Sequence, residues 1–210
     1  MVSGVTPVTT VDPVPFHVVF VCTGNRARSA LAEAFFRTKS AGDAVRVESY
    51  GTLELGPEPA MPHAIAAAAS FGVDLRDHRA RSLLGVRLDD VDLVIGFEPF
   101  HVAAAVVEAG ARKERAFMFR ELAALLEDFA PVTAGLGSAR SQAAVDHAHA
   151  RRAGRRSSAL SLADPYAGSR RVYDEVAATI DDLTSTLAMR LFGTSTDERP
   201  SARTRDLGVA

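Results

Sequence analysis

Cysteine occurs once in the 210 residues, at Cys22. No intramolecular disulfide can form, and a lone thiol suits a reducing compartment, so secretion is disfavoured and a cytoplasmic location is expected. An excess of charge of one sign is also missing: 24 Lys and Arg oppose 26 Asp and Glu, for a formal net charge of −2. That balance gives no electrostatic case for a nucleic-acid partner. Long apolar runs are missing too. No stretch approaches the roughly 18 apolar residues of a membrane span, and the opening MVSGVTPVTTVDPVPF lacks the positive start and continuous apolar core of a signal peptide. Membrane insertion is not expected. Finally, no metal-ligand spacing appears. His147 and His149, two apart, face different ways on a helix, and His17, His63, His78 and His101 are scattered and read as structural or surface residues. Neither a metal nor a cofactor is called for.

What is present, 47% hydrophobic residues against 24% charged, is enough to fill one core. One domain is expected over residues 16–192, with a flexible extension at 1–15 and a flexible tail at 193–210. The apolar run HVVFVC (17–22) reads as a buried strand and Ser29 to Arg37 as a helix with Leu31, Phe35 and Phe36 on one face. A second strand, VRVESYG (45–51), completes a β-α-β unit, which is parallel and right-handed in nearly all proteins. The pattern repeats. A helix from Pro62 stops near Gly72, DLVIGFE (92–98) reads as a third strand, His101 to Ala109 as a helix, and RAFMFR (115–120) as a fourth strand. Leu122, Leu125, Leu126 and Phe129 mark a further helix, and Val176, Ile180, Leu183, Leu187 and Leu191 a last one packed on the sheet. The expected fold is α/β, a four-stranded parallel sheet with helices on both faces. Residues 131–163 break the rhythm and read as an inserted helix and a basic loop, its RRAGRR (151–156) arginines forming a solvated face.

In an open parallel sheet, ligands bind beyond the carboxyl ends of the strands, where Cys22 sits. The loop Cys22-Thr23-Gly24-Asn25-Arg26-Ala27-Arg28-Ser29 runs from a strand into a helix N-terminus, where unpaired amides and the helix dipole favour an anion. Gly24 and Asn25 tolerate the left-handed backbone that a ring of inward-pointing amides needs. The same field favours the thiolate of a cysteine placed there. Arg28 can return across the loop and bind two phosphate oxygens with its planar fork, and Ser29 can cap the helix or donate to the sulfur. A lone cysteine in an apolar strand is ordinarily a small buried hydrophobe. Here the cysteine, arginine and serine lie between strand and helix, a setting in which the pattern reads as a nucleophile over a phosphate cradle.

VFVCTGNRARSA resembles the loop of the low-molecular-weight protein tyrosine phosphatases, C-x-G-N-x-x-R-S, and SYGT (49–52), FGVDL, HRARSL (78–83), DLVIGFE and DPY (164–166) fall in that family's order. The resemblance implies a flavodoxin-like, Rossmann-like fold and hydrolysis of phosphotyrosine, in a protein or a small aryl phosphate, through a phosphocysteine. It implies Cys22 as nucleophile, Arg28 as phosphate clamp and Asp164 as general acid. Thr23, Gly24, Asn25, Arg26, Ala27 and Ser29 would bind the phosphate, with Tyr166 stacking on an aromatic substrate. By itself ADPYAGS is only a turn signal. Where family loops often carry apolar residues at the positions of Thr23 and Arg26, this chain does not, and Arg26 is expected to favour acidic residues near the phosphorylated one. Arsenate reduction remains as an alternative only with an external small-molecule thiol, because no second cysteine is present. A non-catalytic phosphopeptide-binding module is the other, although binding alone would need neither nucleophile nor acid.

Overall fold

The computed structural model describes residues 14–130, 138–152 and 160–193. The expectations for the two chain ends, and for most of the RRAGRR loop, fall largely outside these residues. Four strands, β1 (Phe16–Cys22), β2 (Val45–Gly51), β3 (Leu93–Gly96) and β4 (Ala116–Met118), form one parallel sheet in the order β2-β1-β3-β4. The order reverses between β1 and β3, and a crevice opens at such a switch point beyond the strand ends. Cys22, the last residue of β1, lies there.

Alternation along β1 explains the layers. Val18, Phe20 and Cys22 face a core shared with α1 (Arg28–Lys39), α2 (Pro62–Ser70), α4 (Phe119–Leu125), α5 (Ser138–Arg151) and α6 (Arg170–Phe192). Val19 and Val21 face the other core, with α3 (Pro99–Val107) and the segment carrying Leu83, Leu88 and Val91. Residues 18–21 are wholly buried, and each such side chain contributes roughly 1.5–3 kcal/mol. This is why β1 reads as an unbroken apolar run rather than an alternating one.

Local signals set the helix ends. Pro62 and Pro99 occupy first turns, where no amide partner is lost, and Gly72 takes φ 74° just beyond α2. Three expectations are corrected. The fourth strand keeps only Ala116–Met118, because Phe119 and Arg120 open α4. The helix marked by Leu122 to Phe129 ends at Leu125, with Leu126 and Phe129 buried in the following turn. Arg152 does not join a solvated face: it donates to Lys113 O and Ala116 O, pairs with Glu121 and covers the Phe117 ring at 3.8 Å. Helix α5 packs on α6 through buried Ser141, Ala144, Val145 and Ala148, with Ser141 Oγ donating to Leu191 O. Among the described residues, no helix is long and apolar enough to cross a membrane.

Candidate active site

The loop after β1 turns its carbonyls outward. Cys22 O accepts from Thr52 N, Thr23 O from Leu53 N, Asn25 O from the His78 ring and Arg26 O from Met61 N. With the carbonyls engaged outside, the peptide planes direct amides inward, and Asn25 N lies 3.3 Å from Cys22 Sγ. Asn25 takes φ 51°, whereas Gly24 is not left-handed, which narrows the expectation made for both. The room for the loop comes from Gly51: a Cβ there would lie 2.9 Å from Thr23 O, Gly24 C and Asn25 N.

The strained residue is strapped from all sides. Buried Asn25 donates through Nδ2 to Ser29 Oγ at 2.9 Å and Ser49 Oγ at 2.7 Å, and its Oδ1 accepts from Arg81 N at 2.8 Å. Ser49 donates to Glu33, which also pairs with Arg81 and Arg37. Satisfying every polar atom of a buried side chain holds the left-handed turn that would otherwise relax. Ser29 Oγ lies 2.9 Å from Cys22 Sγ. It touches the sulfur rather than capping α1, whose N-cap, Ala27, has no side-chain bond.

Arg28, fully buried, crosses the site. Its Nη1 donates to Glu98 and to Leu162 O, and its Nη2 to Thr23 Oγ1 at 3.2 Å and Asp164 Oδ2 at 2.5 Å. The fifth N–H, on Nε, makes no bond among the described residues. Asp164 is delivered by a segment pinned to the end of β3 through Leu162 N donating to Phe97 O, and its Oδ1 accepts from Tyr166 N. Asp164, 136 positions from Arg28 in sequence, thus joins Cys22 and Arg28 in one cleft of about 450 Å³. Thr23, Gly24, Arg26 and Ala27 line it, as do Leu53, Leu55, Met61, Tyr166 and Tyr173, whereas Asn25 and Ser29 brace it from behind. Arg26 is held by Pro59 O at 2.8 Å and stands 3.9 Å from Glu58, which offsets part of its charge.

Sequence reasoning missed the second layer: Glu98 on Arg28, His101 on Thr23, His78 on Asn25, and the Ser49–Glu33–Arg81 chain. The only hint of it was the run of SYGT, HRARSL and DLVIGFE. Burial, then the Arg28 charge, pushes the His101 pKa down from 6.5 to about 3, and burial also lowers His78. The unfolded chain therefore takes up protons near pH 6.5 that the fold refuses until about 3. Stability rises with pH wherever the unfolded state binds more protons, so it falls as pH drops through that window, by up to ~1.4 kcal/mol per pH unit for one proton. Melting temperatures from pH 7 down to pH 4 should decline, and less steeply in His101→Asn; equal slopes would show that the ring titrates normally in the fold.

Residues 17–129 match the family model described as low molecular weight phosphotyrosine protein phosphatase. Low molecular weight protein-tyrosine phosphatase A of Mycobacterium bovis is 32% identical over 171 residues, covering 80% of this chain and 86% of that one. Protein-arginine-phosphatase of Bacillus subtilis is 30% identical over 106 residues, covering 50% of this chain and 70% of that one. Among solved structures, the low molecular weight protein tyrosine phosphatase from T. tengcongensis superposes with a TM-score of 0.61 at 25% identity, over 84% of this chain and 99% of that one.

Proposed function

Because the chain belongs to the low molecular weight phosphotyrosine protein phosphatase family, we propose that it hydrolyses phosphotyrosine through a phosphocysteine intermediate formed on Cys22. The observation that carries this reading is the meeting of Cys22, Arg28 and Asp164 in one cleft. The phosphate sits in the inward amides, held by the Nε and Nη2 edge of Arg28, where it displaces Asp164 from Nη2. Cys22 Sγ attacks phosphorus as the bond to the phenolic oxygen breaks, and Asp164 gives that oxygen its proton. Water then attacks the phosphocysteine, Asp164 takes its proton, and the sulfur leaves with Ser29 Oγ beside it.

The walls favour an aryl ester. Leu53 and Leu55 are 49% and 41% exposed, and Tyr166 is 72% exposed, so an aromatic ring entering the cleft covers apolar surface that the fold leaves in water. The relative named for arginine phosphatase activity makes phosphoarginine the competing substrate.

The test is hydrolysis of p-nitrophenyl phosphate and of phosphotyrosine, phosphoserine and phosphoarginine peptides, with arsenate plus glutathione or mycothiol alongside. Phosphotyrosine is expected to give the highest kcat/KM. Preference for phosphoarginine would overturn the substrate assignment, and thiol-dependent arsenite formation without ester hydrolysis would make the chain a reductase. Asp164→Asn is expected to lower kcat by about 10²-fold on phosphotyrosine and by less on esters with more acidic leaving groups, which need less protonation. An equal loss on all esters would remove Asp164 as the acid.

A further inference from the structure

We propose that His101 fixes the Thr23 hydroxyl as an obligate hydrogen-bond donor to the bound phosphoryl group, which makes Thr23 a substrate-contacting side chain and His101 its positioning residue. The inference rests on the phosphatase reading above and adds a side-chain donor to the ring of backbone amides.

The direction of each bond follows from what the atoms can do. The Glu98 backbone N–H can only donate, and it meets His101 Nδ1 at 3.0 Å. Nδ1 therefore presents its lone pair, and the ring proton of neutral His101 lies on Nε2. Its burial in the first turn of α3 suits a neutral ring. Nε2–H then donates to Thr23 Oγ1 at 3.0 Å. Arg28 Nη2, which has no acceptor capacity, donates to the same oxygen at 3.2 Å.

A hydroxyl has two lone pairs and one hydrogen. Both lone pairs of Thr23 Oγ1 are taken, so its O–H has to be given away. Among the described residues no acceptor is bonded to it, and Thr23 lines the cleft with Cys22 and Arg28. The sulfur already has Ser29 Oγ and Asn25 N against it. A phosphate oxygen on the Arg28 fork is the remaining acceptor, and two incoming bonds polarise the donor toward it. Any residue but proline at position 23 would supply the backbone amide, but only threonine or serine supplies this hydroxyl.

Tungstate, an oxyanion that is not turned over, reads the contact by titration calorimetry without any catalytic step. Thr23→Val is expected to weaken tungstate binding by about 10- to 100-fold, the range for a hydrogen bond to a charged group, and Thr23→Ser to stay within about threefold of the wild type. His101→Asn, which keeps the acceptor for Glu98 N but loses the donor to Thr23, should weaken binding in the wild-type background and add nothing in Thr23→Val. A purely structural histidine would impose the same factor in both backgrounds. Should Thr23→Val fail to fold, Thr23→Ala carries the same comparison. Turnover of p-nitrophenyl phosphate, measured in parallel, judges the phosphatase reading separately: Thr23-dependent tungstate binding without turnover sinks that reading and leaves the donor assignment standing. Equal tungstate affinity in wild type and Thr23→Val, no binding by the wild type, or an equal His101→Asn factor in both backgrounds overturns the proposal.

Discussion

Cys22→Ser lowers kcat for p-nitrophenyl phosphate by at least about 10⁴-fold and leaves tungstate binding and the melting temperature close to those of the wild type. The asymmetry follows from the surroundings of the sulfur. Cys22 is 3% exposed at the end of β1, and the groups against it, Ser29 Oγ and Asn25 N, are a hydroxyl and an amide. Both offer hydrogen bonds to the atom at this position, and neither takes a proton from it. Sulfur is intrinsically a strong nucleophile, whereas a serine hydroxyl needs a base to activate it, and none is bonded to this position among the described residues. The cradle survives the substitution, because the carbonyls that shape it bond to Thr52, Leu53, His78 and Met61 rather than to the side chain of residue 22. Residual activity above about one per cent of the wild type would mean that phosphoryl transfer does not pass through this atom.

The difference between what the sequence discloses and what it hides is one of range. The nucleophile, the clamp and the loop lie within one strand-turn-helix unit, so local chemistry is enough to read them. Strand β1 is legible because burial on both faces removes every polar residue from its centre. Short β4 is not, since Phe119 is apolar and buried like the strand before it, and the switch to helix is marked by Met118 N donating to Glu121 Oε2, three residues on. Asp164 stands 136 positions from Arg28, and nothing in ADPYAGS says that it meets a guanidinium. Family resemblance supplied what local chemistry could not. Glu98 and His101 read locally as the end of a strand and the start of a helix. The Pro99 turn that begins α3 is what places them, 70 and 78 positions from their partners, against Arg28 and Thr23. Arg152 misled for the opposite reason: a run of arginines reads as solvated until the carbonyls of Lys113 and Ala116 and the face of Phe117 are seen beneath it.

Arg28→Lys preserves the charge and should still lower kcat/KM by about 10³-fold or more, because the site uses the shape of the guanidinium. Four of its five N–H groups serve Glu98, Leu162 O, Thr23 and Asp164 in fixed directions, and the phosphate takes the remaining Nε–H together with the Nη2–H that Asp164 gives up. An ammonium has three donors at one point, so it cannot hold Glu98, the Leu162 carbonyl and the Thr23 hydroxyl while presenting two parallel bonds to a phosphoryl group, a set that takes five donors. The loss should therefore appear in kcat as well as KM, since equatorial oxygens gain charge in the transition state and a mispositioned cation follows them poorly. Stability should decline too. With the side chain 1% exposed, the lysine leaves acceptors unmet in a buried site, and each such group costs about 1–3 kcal/mol, which at about 2–4 °C per kcal/mol lowers the melting temperature by several degrees. Adding Glu98→Gln to Arg28→Lys separates the two losses. It removes one of the carboxylates competing for the ammonium, so the melting temperature should recover part of its fall while kcat/KM stays low. A kcat/KM for Arg28→Lys within tenfold of the wild type would instead show that position 28 acts through charge alone.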